Sequence, residues 1–388
     1  MNALEWLKTR QQLGSNYGIA RVLYVLDKLD NPQTKIKTIH VTGTNGKGST
    51  ISFLRSILRQ YQLKVGTFMS PYMTTMTEMI SINGNSIFEE HLETILQTIR
   101  PFVEEMDQMD GSLQYMTEFE ILTVAMFVYF EQQQVDVALV EVGLGGLTDA
   151  TNVIQPIASL ITSIGLDHID ILGSTYEAIA TQKSGIIKPN SKVFVGDLPQ
   201  EALRIIQQTC MDKQVPLFMY GKDFAASLEE ATPSGNSFTF ANEFMTISGL
   251  FESLAGLHQI KNAALALETI FGLQYELDIE WDEQKIRSGL QQTFIIGRLE
   301  KIHDKPLVLI DGAHNPAGIR TLTTYIKKAL AGKKVSILFS AIQTKNYEAM
   351  LEQLQAVEEV KQVTFTTFHD KRALTLTQLE ALQAPNIE

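Results

Sequence analysis

Ten residues near the N-terminus, Val41-Thr42-Gly43-Thr44-Asn45-Gly46-Lys47-Gly48-Ser49-Thr50, have the types and order needed to hold a polyphosphate. Glycines let the backbone curl so that several N–H groups converge on phosphate oxygens, and a following helix N-terminus adds its positive dipole end. Lys47 supplies a mobile ammonium for β- and γ-phosphates, and a hydroxyl just beyond it can ligate magnesium. The strict G-x-x-x-x-G-K-[ST] pattern is not met: Gly48 stands where Ser or Thr should be, and the hydroxyl arrives at Ser49. A mere glycine-rich turn is the plainer reading, disfavoured by Lys47 and by the strand-before, helix-after context.

Other residues gain meaning from this loop. Glu141 ends a valine-rich run, Val135 to Val142, where an unpaired carboxylate would be costly and a hard cation would remove the cost. Taken alone, a strand-end Glu is more often a cap or an ion pair. His168 follows the apolar run Ile157 to Ile164, and a lone His is ordinarily a satisfied core or surface residue. Gly297-Arg298-Leu299-Glu300 reads as a linker with a surface ion pair, and Asp311-Gly312-Ala313-His314-Asn315-Pro316 as a strand-to-helix turn capped by Asn315.

These residues must be positioned by strands and helices. Thr38–Val41 is a short β run entering the glycine cluster, and a helical pattern from Ser49 to Tyr61 places Phe53, Leu54, Ile57 and Leu58 on one face. Together they are the first half of a βαβ unit. Three apolar strands each end in a glycine or polar loop, and in an open parallel sheet such loops line one edge, where ligands bind. After Thr293–Gly297 the alternation restarts: strand Pro306–Ile310, a helix to about Leu330, strands Val335–Phe339 and Val363–Phe368. Residues 220–255 read as strands and turns. The expected fold is therefore α/β in two domains, a larger P-loop parallel-sheet, ATPase-like domain over 1–295 and a smaller Rossmann-like C-terminal domain over 296–388.

Bulk properties bound the function. At 388 residues, two domains are the default. With 44% apolar and 20% charged residues the composition is that of an ordinary globular protein, and a net charge of −12 argues against a nucleic-acid or membrane surface. The single cysteine, Cys210, excludes an intrachain disulfide, and the start of the chain lacks a signal-peptide core. The expected setting is the cytoplasm, and the expected state a monomer.

Several ordered blocks are similar to one family. Thr42-Gly43-Thr44-Asn45-Gly46-Lys47-Gly48-Ser49 resembles the nucleotide loop of folylpolyglutamate and dihydrofolate synthases, relatives of the muramyl ligases. Tyr17-Gly18-Ile19-Ala20-Arg21, Glu141 through Asn152, Asp167-His168, Lys183 through Lys188, His258 through Ala263, Gly297 through Glu300 and Asp311 through Pro316 continue the resemblance along almost the whole chain. It departs at Gln182 and Ser184, where Glu and Ala are usual, at Met79 for Arg, and at Leu147-Thr148 for Arg-Leu. At the last two places a cation that could meet a substrate carboxylate is absent.

The resemblance implies a ligase using ATP and two magnesium sites to join L-glutamate to the γ-carboxylate of a folate through an acyl phosphate. It places ATP on Gly43, Thr44, Asn45, Gly46, Lys47, Gly48, Ser49 and Thr50, with Asn262 and Arg298 on its phosphates and Asp311 and His314 on its nucleoside side. It implies magnesium on Ser49 and Glu141, and a second metal on Glu141, His168 and a carbamylated Lys183. Lys47, Glu141, His168 and Lys183 are then the catalytic set, and the C-terminal domain closes over ATP and binds glutamate. The segment 70–84 matches the pterin-side loop, whose methionines 69, 73, 76 and 79 either pack a flat ring or fill loop and core. Addition of the first glutamate to dihydropteroate, alone or as a second activity, is the alternative. A nucleotide switch or binding module leaves the blocks at 258–263 and 311–316 unexplained.

Overall fold

Runs of Val, Ile, Leu and Ala with no polar alternation make strands buried on both faces, the expected signature of a parallel sheet covered by helices. The computed structural model, which describes residues 1–13, 17–109, 111, 113–232, 235–370, 372–375 and 377–378, follows that rule. Strand β1 (Thr38–Thr42) is buried throughout, as are β2 (Val65–Phe68), β5 (Val137–Glu141) and β6 (Ala158–Ile161). With β3 (Ile80–Ile82), β4 (Asn85–Ser86), β7 (Lys192–Val195) and β8 (Leu217–Met219) they form one eight-stranded sheet, ordered β4-β3-β2-β5-β1-β6-β7-β8. From β2 to β8 the pairings are parallel; β2–β3 and β3–β4 are antiparallel, which turns one edge of the sheet into a meander.

One face of the sheet is covered by the helix Glu118–Gln132, in which every residue from Glu120 to Phe130 is buried. A helix apolar on all sides must lie inside the protein, and this one packs with Glu89–Asp107 and the N-terminal helices in a core containing Trp6, Phe68, Ile99, Phe127 and Phe130. Glu120 is its buried exception. Its Oε1 accepts from Arg21 Nε at 2.8 Å, and its Oε2 accepts from the backbone and hydroxyl of Thr117, closing a capping box at the helix start. A second cluster, with Ile161, Val193, Val195 and Ile206, lies under Tyr176–Ser184 and Gln200–Lys213.

The chain divides into two compact units, and the division is not a single cut. The first unit is Met1–Ala226, Phe240–Ile247 and Lys261–Thr293; the second is Ser227–Thr239, Ser248–Ile260 and Phe294–Glu388. The segment expected as strands and turns is a three-stranded sheet, β11-β10-β9, of β9 (Phe224–Thr232), β10 (Gly235–Asn242) and β11 (Thr246–Glu252).

Within the second unit, β12 (Glu300–Asp304) and β13 (Leu307–Ile310) pair antiparallel, and β14 (Val335–Phe339) pairs parallel with β15 (Val360–Phe365). The sequence pattern puts the last strand three residues later, at Val363–Phe368. Pairing of Val335 with Val360 sets its start instead, a partner that local pattern does not reveal. The helix Pro316–Ala329 opens as expected, with Asn315 Oδ1 accepting from Gly318 N at 2.8 Å and proline at its first position. Ile319, Ile326, Met350, Leu354 and Val363 make its core.

Candidate functional site

The glycine loop leaves β1 and enters the helix Lys47–Gln60, which begins two residues before the expected Ser49. Gly46 has φ +87°, and a Cβ there would lie 2.6 Å from Asn262 Oδ1, so only glycine permits both the turn and the approach of Asn262. At Gly43 a Cβ would fall 1.9 Å from Thr162 Oγ1. The loop is pinned by the end of β6: Thr44 N donates to Ser163 O (2.9 Å), Asn45 N to Ser163 Oγ (2.9 Å), and Thr162 Oγ1 donates to Asn45 O (2.6 Å). Sequence reasoning misses Thr162 and Ser163 as site residues. Two hydroxyls closing an apolar strand are their only signal.

Parallel register places Glu141 directly beside Val41, one strand over from the start of the loop. The acid is buried, with Oε1 3.8 Å from Lys47 Nζ and Oε2 3.4 Å from Ser70 N. Lys47 also donates to Gly43 O at 3.1 Å, so its ammonium folds back over the loop. Ser49 and Thr50 are buried in the first turn of the helix, and Gly48 lies between them and Lys47. Loop, ammonium and strand-end acid are thus together in the first unit.

Lys183 is 3% exposed at the end of the helix Tyr176–Ser184. Burial, reinforced by the Lys47 charge, pushes its pKa down to about 7, against the opposing pull of Asp167 and Asp149. The helix end is locked to the second glycine loop: Leu147 N donates to Gln182 O (2.8 Å), and Asn152 Nδ2 donates to Leu147 O (2.9 Å) and Gly185 O (3.2 Å). Asp149 is a further buried carboxylate unassigned by sequence, accepting from Leu144 N (2.8 Å) and from Thr151 N and Oγ1. His168 is different. It takes a left-handed conformation (φ 50°, ψ 40°), its side chain is 43% exposed, and its Nε2 is 3.9 Å from Asp167 Oδ1.

Among the described residues no group of three or more His, Cys, Asp or Glu is spaced to hold a metal. Oxygen donors near the loop include the Ser49 hydroxyl, in the first helical turn, and the Glu141 carboxylate, at the end of β5. Such a pair suits magnesium, which keeps waters and takes one or two carboxylates plus phosphate oxygens in place of a full protein cage.

In the second unit, Asp311 joins two segments. Its carboxylate accepts from Leu299 N and Ala313 N, both at 2.9 Å, while Gly312 N donates to Gly297 O at 2.8 Å. Burial raises the Asp311 pKa although these bonds and the Arg298 charge oppose the rise. His258 falls to a pKa of about 4, mainly through burial and further through the Arg298 charge. His314 Nδ1 lies 2.8 Å from Gly312 O. Arg298, on one segment, therefore meets the turn that carries Asp311 and His314. On the segment 70–84, Met76 and Met79 are buried in the core, while Met73 is 55% exposed.

Parallel strands ending in a glycine loop at a helix start, with a lysine and a strand-end acid across it, define a mononucleotide-binding α/β protein. The Mur ligase middle domain matches residues 41–270, and the Mur ligase glutamate ligase domain matches residues 297–386. A dihydrofolate synthase/folylpolyglutamate synthase of Bacillus subtilis is 38% identical over 96% of this chain and 86% of its own. The crystal structure of a Thermotoga maritima folylpolyglutamate synthase superposes with a TM-score of 0.87 at 31% identity, covering 100% of this chain and 89% of that one. A solved complex of a folylpolyglutamate synthase (FPGS) with AMPPCP and folate gives 0.86 at 33% identity, over 100% and 96%. This chain belongs to the folylpolyglutamate synthase/dihydrofolate synthase family of the Mur ligases.

Proposed function

We propose that the chain is an ATP-dependent ligase adding L-glutamate to the γ-carboxylate of a reduced folate, with addition of the first glutamate to dihydropteroate as the alternative or second reaction. Family membership and the solved FPGS–AMPPCP–folate complex support this reading. The observation that carries it is the Lys47 ammonium folded over the glycine loop beside Glu141.

In the proposed reaction, residues 43–50 bind the triphosphate and Lys47 offsets charge on its β- and γ-phosphates. A carboxylate oxygen of the folate attacks the γ-phosphorus, ADP leaves, and an acyl phosphate forms. The neutral amine of glutamate then attacks the acyl carbon, inorganic phosphate departs, and the amine gives up a proton. Exclusion of water protects the acyl phosphate from hydrolysis. Asn262 and Arg298 are assigned to the phosphates, and Asp311 and His314 to the nucleoside side. We assign the ATP-binding loop and the folate site to 1–295, and closure over ATP together with glutamate binding to 296–388.

Ser49 and Glu141 are the residues we assign to magnesium, and Glu141, His168 and a carbamylated Lys183 to a second ion. Bound there, the ions would neutralise charge on the transferring phosphoryl group. Lys183 suits carbamylation: an amine with a pKa of about 7 is substantially neutral at neutral pH, and only the neutral amine adds carbon dioxide. We place the protein in the cytoplasm as a monomer; no helix among the described residues is long and apolar enough to cross a membrane.

Phosphate release measured with ATP, glutamate, a reduced folate and dihydropteroate each omitted in turn tests the proposal. Release that needs glutamate and a folate supports it, and dependence on dihydropteroate instead selects the alternative. Release indifferent to both glutamate and pterin would sink it.

A further inference from the structure

We propose that Glu78 is a positioning residue that holds the loop 70–79 in its acceptor-binding shape, an inference that rests on the assignment of this loop to the folate. Three successive backbone amides converge on one carboxylate: Met73 N donates to Oε2 at 2.8 Å, and Thr74 N and Thr75 N donate to Oε1 at 3.0 and 2.9 Å. Thr75 and Glu78 also form a reciprocal capping box around the short turn Met76–Met79. Although partial burial opposes it, these bonds hold the Glu78 carboxyl below its ordinary range.

Elsewhere the loop is tied to rigid structure. Met69 N donates to Met79 O at 3.0 Å, Ser70 N faces Glu141 Oε2, and Met76 and Met79 are sunk in the core. Between these anchors, residues 73–75 are exposed, and the carboxylate draws their amides together. An ionised carboxylate is acceptor-only, so it can receive all three N–H groups. A loop ordered before the ligand arrives spares the acceptor the entropy of ordering it. The nucleotide loop is pinned separately by Thr162 and Ser163, so disorder at 73–75 would reach the acceptor before the nucleotide.

Initial rates of wild type, Glu78→Ala and Glu78→Gln, with ATP, glutamate and a reduced folate varied in turn, test this beside thermal melts and amide hydrogen exchange across 70–79. The alanine variant is expected to raise the folate KM about ten-fold and the glutamine variant by less. In Glu78→Gln the new side chain keeps one acceptor oxygen but turns an NH₂ toward the remaining amides. The ATP KM should stay within about two-fold, the melting temperature within about 2 °C, and exchange at 73–75 should quicken in both variants. An unchanged folate KM in an active protein overturns the proposal. So do equal rises for all three substrates with a lowered melting temperature, which would mark a merely structural role. Wild-type protein indifferent to every folate would instead remove the ligase reading, and the acceptor role of Glu78 with it.

Discussion

The Lys47 ammonium stands 3.8 Å from the Glu141 carboxylate, although the two residues lie on separate crossover units of the chain. The register Val41↔Glu141 between β1 and β5 produces the pairing, because it ends both strands at the same level of the sheet. A cation and an anion at the mouth of a phosphate loop can serve opposite ends of one complex, the lysine on phosphate oxygens and the acid on a metal.

Replacing Lys47 with Ala should lower ligation by about 10²–10³-fold or more while leaving the melting temperature near that of wild type, since the side chain is not in the core. Phosphate release and a thermal melt on the same preparation check both halves. Full activity in this variant would refute the phosphate role.

Lys183 should take up carbon dioxide more readily as pH rises through about 7, where its amine loses the proton. Labelled bicarbonate should give a carbamate carbon signal in wild type that is absent in Lys183→Ala. Activity of the wild type should then respond to bicarbonate, and that of the variant should not. A wild type without the signal at roughly one pH unit above that value would refute the modification.

Breaking the buried Arg21–Glu120 pair should destabilise the first unit by about 3–5 kcal/mol, because removing one partner takes the opposite charge away from the other at a buried site. Denaturant unfolding of Arg21→Met and of Glu120→Gln measures the loss. An Arg21→Met/Glu120→Gln double variant should recover part of it. Losses that simply add would show that the two side chains do not act as a pair.

Stability should also fall as solutions become alkaline. Burial lifts Glu252 to a pKa of about 8 against an ordinary 4.5, while Asn236 Nδ2 and Leu254 N donate to its carboxylate. A carboxyl raised on folding contributes stability that is fully present below about 4.5 and is lost as pH climbs through about 8. Melting temperatures between about pH 5 and 9 should therefore decline more steeply in wild type than in Glu252→Gln. Parallel curves would count against the shift.

The glycine loop, its lysine and the strand-end acid were legible in the sequence because each is local chemistry. Glycines at positive φ, a strand that stops, and a cap such as Asn315-Pro316 depend on residues a few positions apart. The alternation of strand and helix likewise declared an α/β fold with its loops along one sheet edge. Tertiary structure alone decided the rest. That Gly43 faces Thr162, Gly46 faces Asn262 and Glu141 lies beside Lys47 depends on pairings between residues far apart in the chain, which no local pattern encodes. The same holds for the start of β15, set by β14, and for the grouping of 227–239 and 248–260 with the C-terminal unit. Local propensity names the elements, but register and long-range burial choose which side chains meet, because a one-residue slip in a strand turns its side chains to the opposite face.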